Sequence, residues 1–344
     1  TLTDIMSQIL DGTLAPSIIY NGREPIEFAA LPLTLYADKT VKSFDSISTV
    51  LAQYFAERSI LTRIRQKSVD LRKIVQTALE RNVKKYDLQM KQMKDTEKRD
   101  KYKVYGELIN TYGYNIEPDA RSMDALNYYT GETVTIPLDN TLTPQENAQK
   151  YFDKYGKLKR TYEALSELTV QVKEEIEHLE SILTALDIAQ QEEDLVQIKE
   201  ELIESGYIRR KGGTKKAKVT SRPFHYISSD GFHMYVGKNN YQNDELTFKF
   251  ATGNDWWFHA KQKAGSHVIV KTEGQELPDR TFEEAARLAA YYSKGREQNK
   301  VEIDYIQKKH VKKPAGAKPG FVVYYTNYSM AIDSDISGIE QIGS

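Results

Sequence analysis

The stretch "TPQENAQKYFDKYGKLKRTYEALSELTVQVKEEIEHLESILTAL", residues 143–186, decides the architecture of this chain. It opens with a capping box, in which Thr143 caps, Pro144 occupies the first turn and Glu146 reaches back. Tyr151, Tyr155, Leu158, Tyr162, Leu165, Thr169, Val172, Ile176, Leu179, Leu183 and Leu186 then recur at alternating spacings of four and three. That alternation is a heptad seam, which needs a second helix to cover it. The partner lies upstream. From Asp45 onward, Ile47, Tyr54, Leu61, Ile64, Leu71, Val75 and Ala78 fall on helical spacing, and no proline or glycine interrupts the chain up to Tyr105. At a helical rise of 1.5 Å per residue this predicts a rod of roughly 80–90 Å. Two such segments joined by an insert at 106–142 imply an antiparallel coiled-coil hairpin; the alternative is a parallel dimer of long helices. The insert, with "GELINTYGYNI" and "GETVTIPLD", reads as a helical piece and a short strand. It forms a small module at the tip of the hairpin, either touching a large partner or merely capping the coil. A last helix, about 192–205, ends at Gly206, a residue suited to the left-handed C′ position.

The flanks divide the rest. Residues 1–44 hold a short helix and "SIIYNGREPIEFAALPL", two strands about an Asn21-Gly22 turn, too little for a core of their own. They read as the remnant of an upstream domain, and the whole chain as a fragment of something longer. The hairpin then occupies 45–208. "RRKGGTKKAK" is a basic linker into a third unit at 209–335, followed by a tail at 336–344. That unit shows strands near 224–227, 232–236, 255–260, 267–271 and 321–325, and a helix at 281–293 with a Thr281–Glu284 capping box. Residues 243–251 read equally as strand or helix. The expected fold class is α+β: a long coiled-coil hairpin followed by a small basic domain.

Charge is distributed unevenly. Residues 209–344 carry 22 Lys and Arg against 15 Asp and Glu, whereas residues 1–208 carry 26 against 34. A basic C-terminal region favours a polyanionic partner. There are no cysteines, which excludes a disulfide scaffold, thiolate zinc ligation and thiol catalysis. No apolar run approaches the ~18–20 residues that span a bilayer, and no signal peptide is visible, so a cytoplasmic protein without membrane insertion is expected, with cell-surface exposure as the alternative.

Within the third unit, "NDWWFHAKQKAGSHVIVK" (254–271) holds both tryptophans. Strand alternation places Trp256 with Phe258 on one face, read as core, and Trp257 with His259 on the other. After the turn at Gly265, His267 faces His259 if the two strands pair. Two imidazoles could begin a metal site, but no third ligand has suitable spacing. Ser266 beside His267 could suggest a nucleophile, but adjacent strand residues point apart. Trp257, His259, Lys261 and His267 therefore read either as structural residues or as a surface that stacks on and hydrogen-bonds to RNA. "VGKNNYQND" (236–244) offers Lys238, Asn239 and Asn240 to phosphates from a loop, and "QKKHVKKPAGAKPGFVVYY" (307–325) concentrates Lys308, Lys309, Lys312, Lys313 and Lys318. No phosphate-cradling glycine loop, no H-E-x-x-H and no acid pair is present, so neither an independent enzyme nor a cofactor or metal is expected.

In their order and spacing, "VGKNNYQND", "DWWFHAKQKAGSHVIVK", "AAYYSK" and "VKKPAGAKPGFVVY" resemble the C-terminal domain of the NFACT family, and "IPLDNTLTPQENAQKYFDKYGKLKR" is similar to its central hairpin. The resemblance implies a ribosome quality-control factor, also described in bacteria as a fibronectin-binding protein. Such a factor binds an obstructed large ribosomal subunit and positions tRNA for untemplated C-terminal tailing of the stalled chain. The implied partners are the large ribosomal subunit and tRNA, with fibronectin or fibrinogen for an adhesin-like alternative. The family's N-terminal tRNA-handling domain would lie before Thr1, so weak RNA binding and no tailing by this chain alone are expected. Ala264 stands where many relatives carry Pro before Gly-Ser-His, which is expected to loosen that turn.

Overall fold

The computed structural model describes residues 2–21, 24–36, 39–117, 119–210 and 221–342. In chain order they form α1 (Leu2–Leu10), β1 (Ser17–Asn21), β2 (Glu24–Ala29), β3 (Thr40–Ser43), α2 (Ile47–Thr96), α3 (Arg99–Tyr112), β4 (Ser122–Asn127), β5 (Glu132–Pro137), α4 (Pro144–Ile188) and α5 (Glu192–Glu204). Then follow β6 (Phe224–Ile227), β7 (His233–Val236), α6 (Asn240–Glu245), β8 (Trp256–Ala260), β9 (Val268–Val270), α7 (Asp279–Tyr291), β10 (Val301–Gln307), β11 (Tyr328–Ile332) and β12 (Glu340–Gln341). The fold is α+β, a long helical hairpin followed by a sheet-rich domain. The chain divides into two compact units, one of residues 1–78 with 177–344 and one of residues 79–176.

The heptads pair as an antiparallel hairpin, and the parallel dimer is not needed to cover them. In the first unit, Arg72 on α2 donates to Asp187 and to the Leu186 carbonyl at the end of α4. In the second unit, the Arg99 guanidinium lies 4.2 Å from the Tyr162 ring centroid and Lys154 lies 4.2 Å from that of Tyr102. As one residue number rises its partner's falls, as antiparallel pairing demands. Along the seam Leu71 and Val75 are buried on α2, and Leu165, Val172, Leu179 and Leu186 on α4. Each such aliphatic side chain, fully buried, contributes about 1.5–3 kcal/mol.

One expectation fails here. The first long helix is not continuous to Tyr105 but breaks at Glu97-Lys98. Thr96 is buried with its hydroxyl donating to the Met93 carbonyl, a local bond that competes with the helical ladder. Beyond the break α3 turns its buried face, Leu108 and Ile109, into a small core with Ala125, Ile136 and Ala148. Gly106 allows the close approach of α4 there, since a Cβ would sit 2.8 Å from the Phe152 ring.

The N-terminal strands form a three-stranded sheet, β2-β1-β3, with β3 unforeseen. As the sequence suggests, they lack a core of their own: Ile18 packs on Val50 and Tyr54 of α2. The Gly22 side of the expected turn lies outside the described residues, as does the linker from residue 211 to 220.

The C-terminal domain is a seven-stranded antiparallel sheet in the order β11-β10-β8-β9-β7-β6-β12. One face packs on α7, with Phe258, Ala260, Val268, Val270, Ala286, Leu288 and Ala289 at its centre. The other face, carrying Trp257, Ile269 and Ile306, is covered by Leu246, Val311, Val322 and Tyr324. Three further expectations are corrected. Residues 321–325 form no strand: only a single Lys312–Val323 bridge ties them, because their apolar side chains lid the sheet instead of joining it. The sheet's remaining members are β10, β11 and β12, of which β10 and β11 pair from Val301 with Ile332 to Tyr305 with Tyr328. The segment 336–344, expected to be a tail, buries Ile336 and places Glu340 and Gln341 against Ile227 and Tyr226 of β6.

The Thr281–Glu284 pair caps nothing. Helix α7 starts earlier, at Asp279, and Thr281 donates to Ser228 and Asp230 while Glu284 accepts from the Ser229 backbone and hydroxyl. Both side chains fasten the β6–β7 turn. The ambiguous 243–251 segment is helical, α6 followed by one π-helical turn at Leu246–Phe250.

Candidate nucleic-acid interface

The polar motif "VGKNNYQND" turns inward. Asn239 caps α6, its side chain accepting from the Gln242 backbone at 3.0 Å. Lys238, Asn239 and Asn240 are only 2%, 2% and 5% exposed, so none presents its side chain to a phosphate. Buried polar groups require partners, and α5 and the end of α4 supply them. Lys238 pairs with Asp194 at 3.3 Å, Asn239 donates to Gln197 at 2.7 Å, and Asn240 donates to Ser181 and Glu201, each at 2.7 Å. His178 completes the set, 3.0 Å from Glu201. This motif is the joint between the helices and the sheet domain. Its partners lie some 40 residues upstream, which no local pattern announces.

The tryptophan–histidine stretch also faces inward. Trp257 is fully buried, and its ring lies 5.1 Å from that of His267, itself only 2% exposed. Strand pairing does bring the two histidines together, with ring centroids 5.4 Å apart. Burial holds His259 down to about 4, partly offset by the Asp304 carboxylate and the Gly265 backbone, and it holds His267 well below the usual imidazole range. Two neutral, packed imidazoles leave His267 spanning Thr247, 2.8 Å from its Nδ1. Ser266 donates to the Gly237 carbonyl rather than facing a base. Among the described residues no group of three or more metal-ligating side chains could hold an ion. Two backbone bonds hold the Gly-Ser-His turn, from the Lys294 N–H to the Ala264 carbonyl and from the Ser266 N–H to the Tyr292 carbonyl. Gly265 is required there: a Cβ would lie 2.9 Å from that of Ser293.

The lysine-rich loop divides its charges between structure and solvent. Lys313 donates to both Asp244 oxygens at 2.7 and 2.8 Å, and the Lys318 ammonium lies 3.3 Å from His178 Nδ1. Gly320, at φ +78°, closes the loop onto α6, where a Cβ would lie 2.9 Å from the Asn240 amide oxygen. Lys309, His310 and Lys312 are exposed, while Lys308 is half-buried with its ammonium 5.8 Å from the Phe248 ring centroid. Lys261, just past the end of β8, is partly exposed beside Glu302, 3.9 Å away.

A second surface feature lies beside Lys271 and was missed from sequence. Phe250, at the end of the π-helical turn, is 41% exposed, with its ring 4.7 Å from that of Tyr235. Tyr235 stacks on His225 at 4.4 Å and an interplanar angle of 9°, and His225 Nε2 is 2.8 Å from His233 Nδ1. The Lys271 ammonium lies 5.1 Å from the Phe250 centroid and also pairs with Asp255. The sequence does carry this signal, since His225 on β6 and His233 with Tyr235 on β7 alternate onto one face.

Residues 1–221 match the NFACT N-terminal and middle domains, and residues 222–325 match the NFACT protein RNA binding domain. The chain belongs to the NFACT family. Its relatives include an "Rqc2 homolog RqcH" of Streptococcus suis, 42% identical over 86% of this chain and 53% of the relative. The Bacillus subtilis protein of the same name is 35% identical over 97% of this chain and 59% of its own length. The chain thus spans between half and three fifths of these curated relatives. A solved structure of the C-terminal part of the fibronectin/fibrinogen-binding protein from Streptococcus suis is 37% identical, with a TM-score of 0.62 over 80% of this chain and 96% of that one. Among the described residues no helix is long and apolar enough to cross a membrane.

Proposed function

We propose that this NFACT chain is the hairpin and RNA-binding portion of a ribosome quality-control factor. In that reading the protein to which it corresponds engages an obstructed large ribosomal subunit and positions tRNA for untemplated C-terminal extension of the stalled chain. The hairpin and sheet domain act by binding and positioning, and bond formation belongs to the ribosome. The observation that carries this reading is the turn and loop at 308–312, which display Lys309, His310 and Lys312 on the domain matched to the RNA binding family. Lysines of this kind contact phosphates independently of sequence and release counterions on binding. The domain organisation we propose keeps a basic RNA-facing domain after about residue 209, joined to the helices through the buried 238–240 motif.

The test is co-sedimentation of the chain with large ribosomal subunits over a salt series. Binding should weaken steeply with salt, and Lys309→Ala with Lys312→Ala should flatten the log–log slope by roughly one for each lysine that contacts a phosphate. Lys313→Ala, whose ammonium is held by Asp244, should leave the slope nearly unchanged. A second reading rests on the solved relative, the C-terminal part of a fibronectin/fibrinogen-binding protein. Saturable fibronectin binding without ribosomal co-sedimentation would favour that adhesin-like role.

A further inference from the structure

We propose that the strip formed by Phe250, Tyr235 and His225 is a stacking platform for unpaired RNA bases, beside the phosphate-facing lysines of the 308–312 turn. The inference rests on the RNA-binding reading and adds the kind of RNA the domain would select.

Three observations converge. Phe250 is 41% exposed although it terminates a turn whose other apolar members, Leu246 and Phe248, point into the sheet. A single exposed ring is ordinary on a protein surface; what surrounds this one sets it apart. Behind it the rings are ordered rather than loose: Phe250 meets Tyr235 edge-on at 68°, and Tyr235 lies flat on His225. Burial and the neighbouring His233 hold the His225 pKa below its usual value, so near neutral pH it offers a ring rather than a charge. Finally, cations flank the rings. Lys271 stands 5.1 Å from Phe250 and pairs with Asp255, whose backbone carbonyl accepts from the Lys308 N–H at 2.8 Å, and Lys309 next in sequence is exposed. The acidic groups nearby are accounted for: Asp255 is tied to Lys271 and Glu245 lies 3.9 Å from Lys249, leaving Glu273 near Tyr235. Rings interleaved with lysines are how proteins hold single strands, bases stacking while the backbone follows the charge. A regular duplex keeps its bases stacked on one another and cannot use the rings.

The experiment measures fluorescence anisotropy of the whole 344-residue chain with two probes. One is a labelled 12-nucleotide RNA of unstructured sequence, and the other is the same strand annealed to its complement. Wild type should prefer the single strand. Phe250→Leu, which keeps apolar bulk but removes the ring, should lower single-strand affinity about tenfold while moving duplex affinity less than about twofold. Phe250→Trp should restore the preference, which a merely structural defect would not allow, and thermal melts check that both variants fold. Equal single-strand affinity for Phe250→Leu and wild type, or equal losses on both probes, overturns the platform and leaves the RNA-binding reading standing. No binding of either probe by wild type overturns both.

Discussion

The two sides of α5 use polar residues in opposite ways. Toward α2, Glu192 accepts from Arg63 at 3.0 Å and from Lys67, with all three side chains 38–60% exposed. Toward α6, Asp194 and Lys238 meet with both side chains 1% exposed, and Glu201 and His178 are nearly as enclosed. Exposed pairs of the first kind contribute little, because water competes for both charges. Enclosed pairs of the second kind add little net stability over an apolar substitute, yet breaking one is costly. The difference teaches that the joint between helices and sheet domain is specified by matched polar groups, not by grease.

The sharpest way to break that contrast is Asp194→Ala. It strands the Lys238 ammonium and also removes the acceptor for Ser221 and for the Gln190 and Gln191 backbone N–H groups that start α5. A loss of about 3–5 kcal/mol is expected in denaturant unfolding. Asp194→Leu with Lys238→Met should recover part of it, and failure of that pair to improve on Asp194→Ala would mean the network is more than an ion pair.

Acid should separate buried from exposed groups next. His259 is held near 4 in the folded chain, whereas an unfolded histidine titrates near 6.5. The unfolded chain therefore binds the extra proton between those values. Stability is complete above about pH 6.5 and falls as pH drops toward 4, by about 1.4 kcal/mol per pH unit for each such histidine. Thermal melts across this window should show the decline, and His259→Asn should reduce its slope. The smallest effect belongs to the exposed side: Glu192→Ala should cost about 0.5 kcal/mol or less, and less still at high salt.

How much of this was legible follows from how local each signal is. The hairpin is written in residues three and four apart, so the seam from Leu165 to Leu186 and its partners Leu71 and Val75 could be read directly, whereas Val50 and Tyr54, on the same helical spacing, bury against the N-terminal strands. The break at Glu97-Lys98 could not, since it is set by the move of α3 onto a different core. In the sheet, β6 to β9 were readable by alternation. The "FVVYY" run misled because an apolar segment that lids a sheet has the composition of one that joins it. Val301, Ile303 and Tyr305 do alternate with Glu302 and Asp304, but the strand they form follows a charged turn and pairs with the distant β11. The candidate site was harder. Lys238, Asn239 and Asn240 have the composition of a phosphate loop, and only Asp194, Gln197 and Glu201 turn them inward. The exposed lysines were named, whereas Phe250 was overlooked because a lone exposed ring looks like core in a sequence.

The anchoring of the lysine loop has a consequence for affinity. Lys313 is clamped on Asp244, the Lys318 ammonium lies against His178, Lys312 and Val323 exchange two backbone bonds that close the loop at its base, and the Lys309 N–H is held by the Gly253 carbonyl, so the backbone of both exposed lysines is already ordered. In the RNA-binding role proposed above, a polyanion meeting Lys309 and Lys312 would therefore not have to freeze a floppy basic tail. The conformational entropy that would otherwise be subtracted from binding, about 0.5–1.5 kcal/mol for each immobilised side chain and more for the backbone, is in part removed beforehand by folding. What such a partner would still have to order is the side chains of the two exposed lysines.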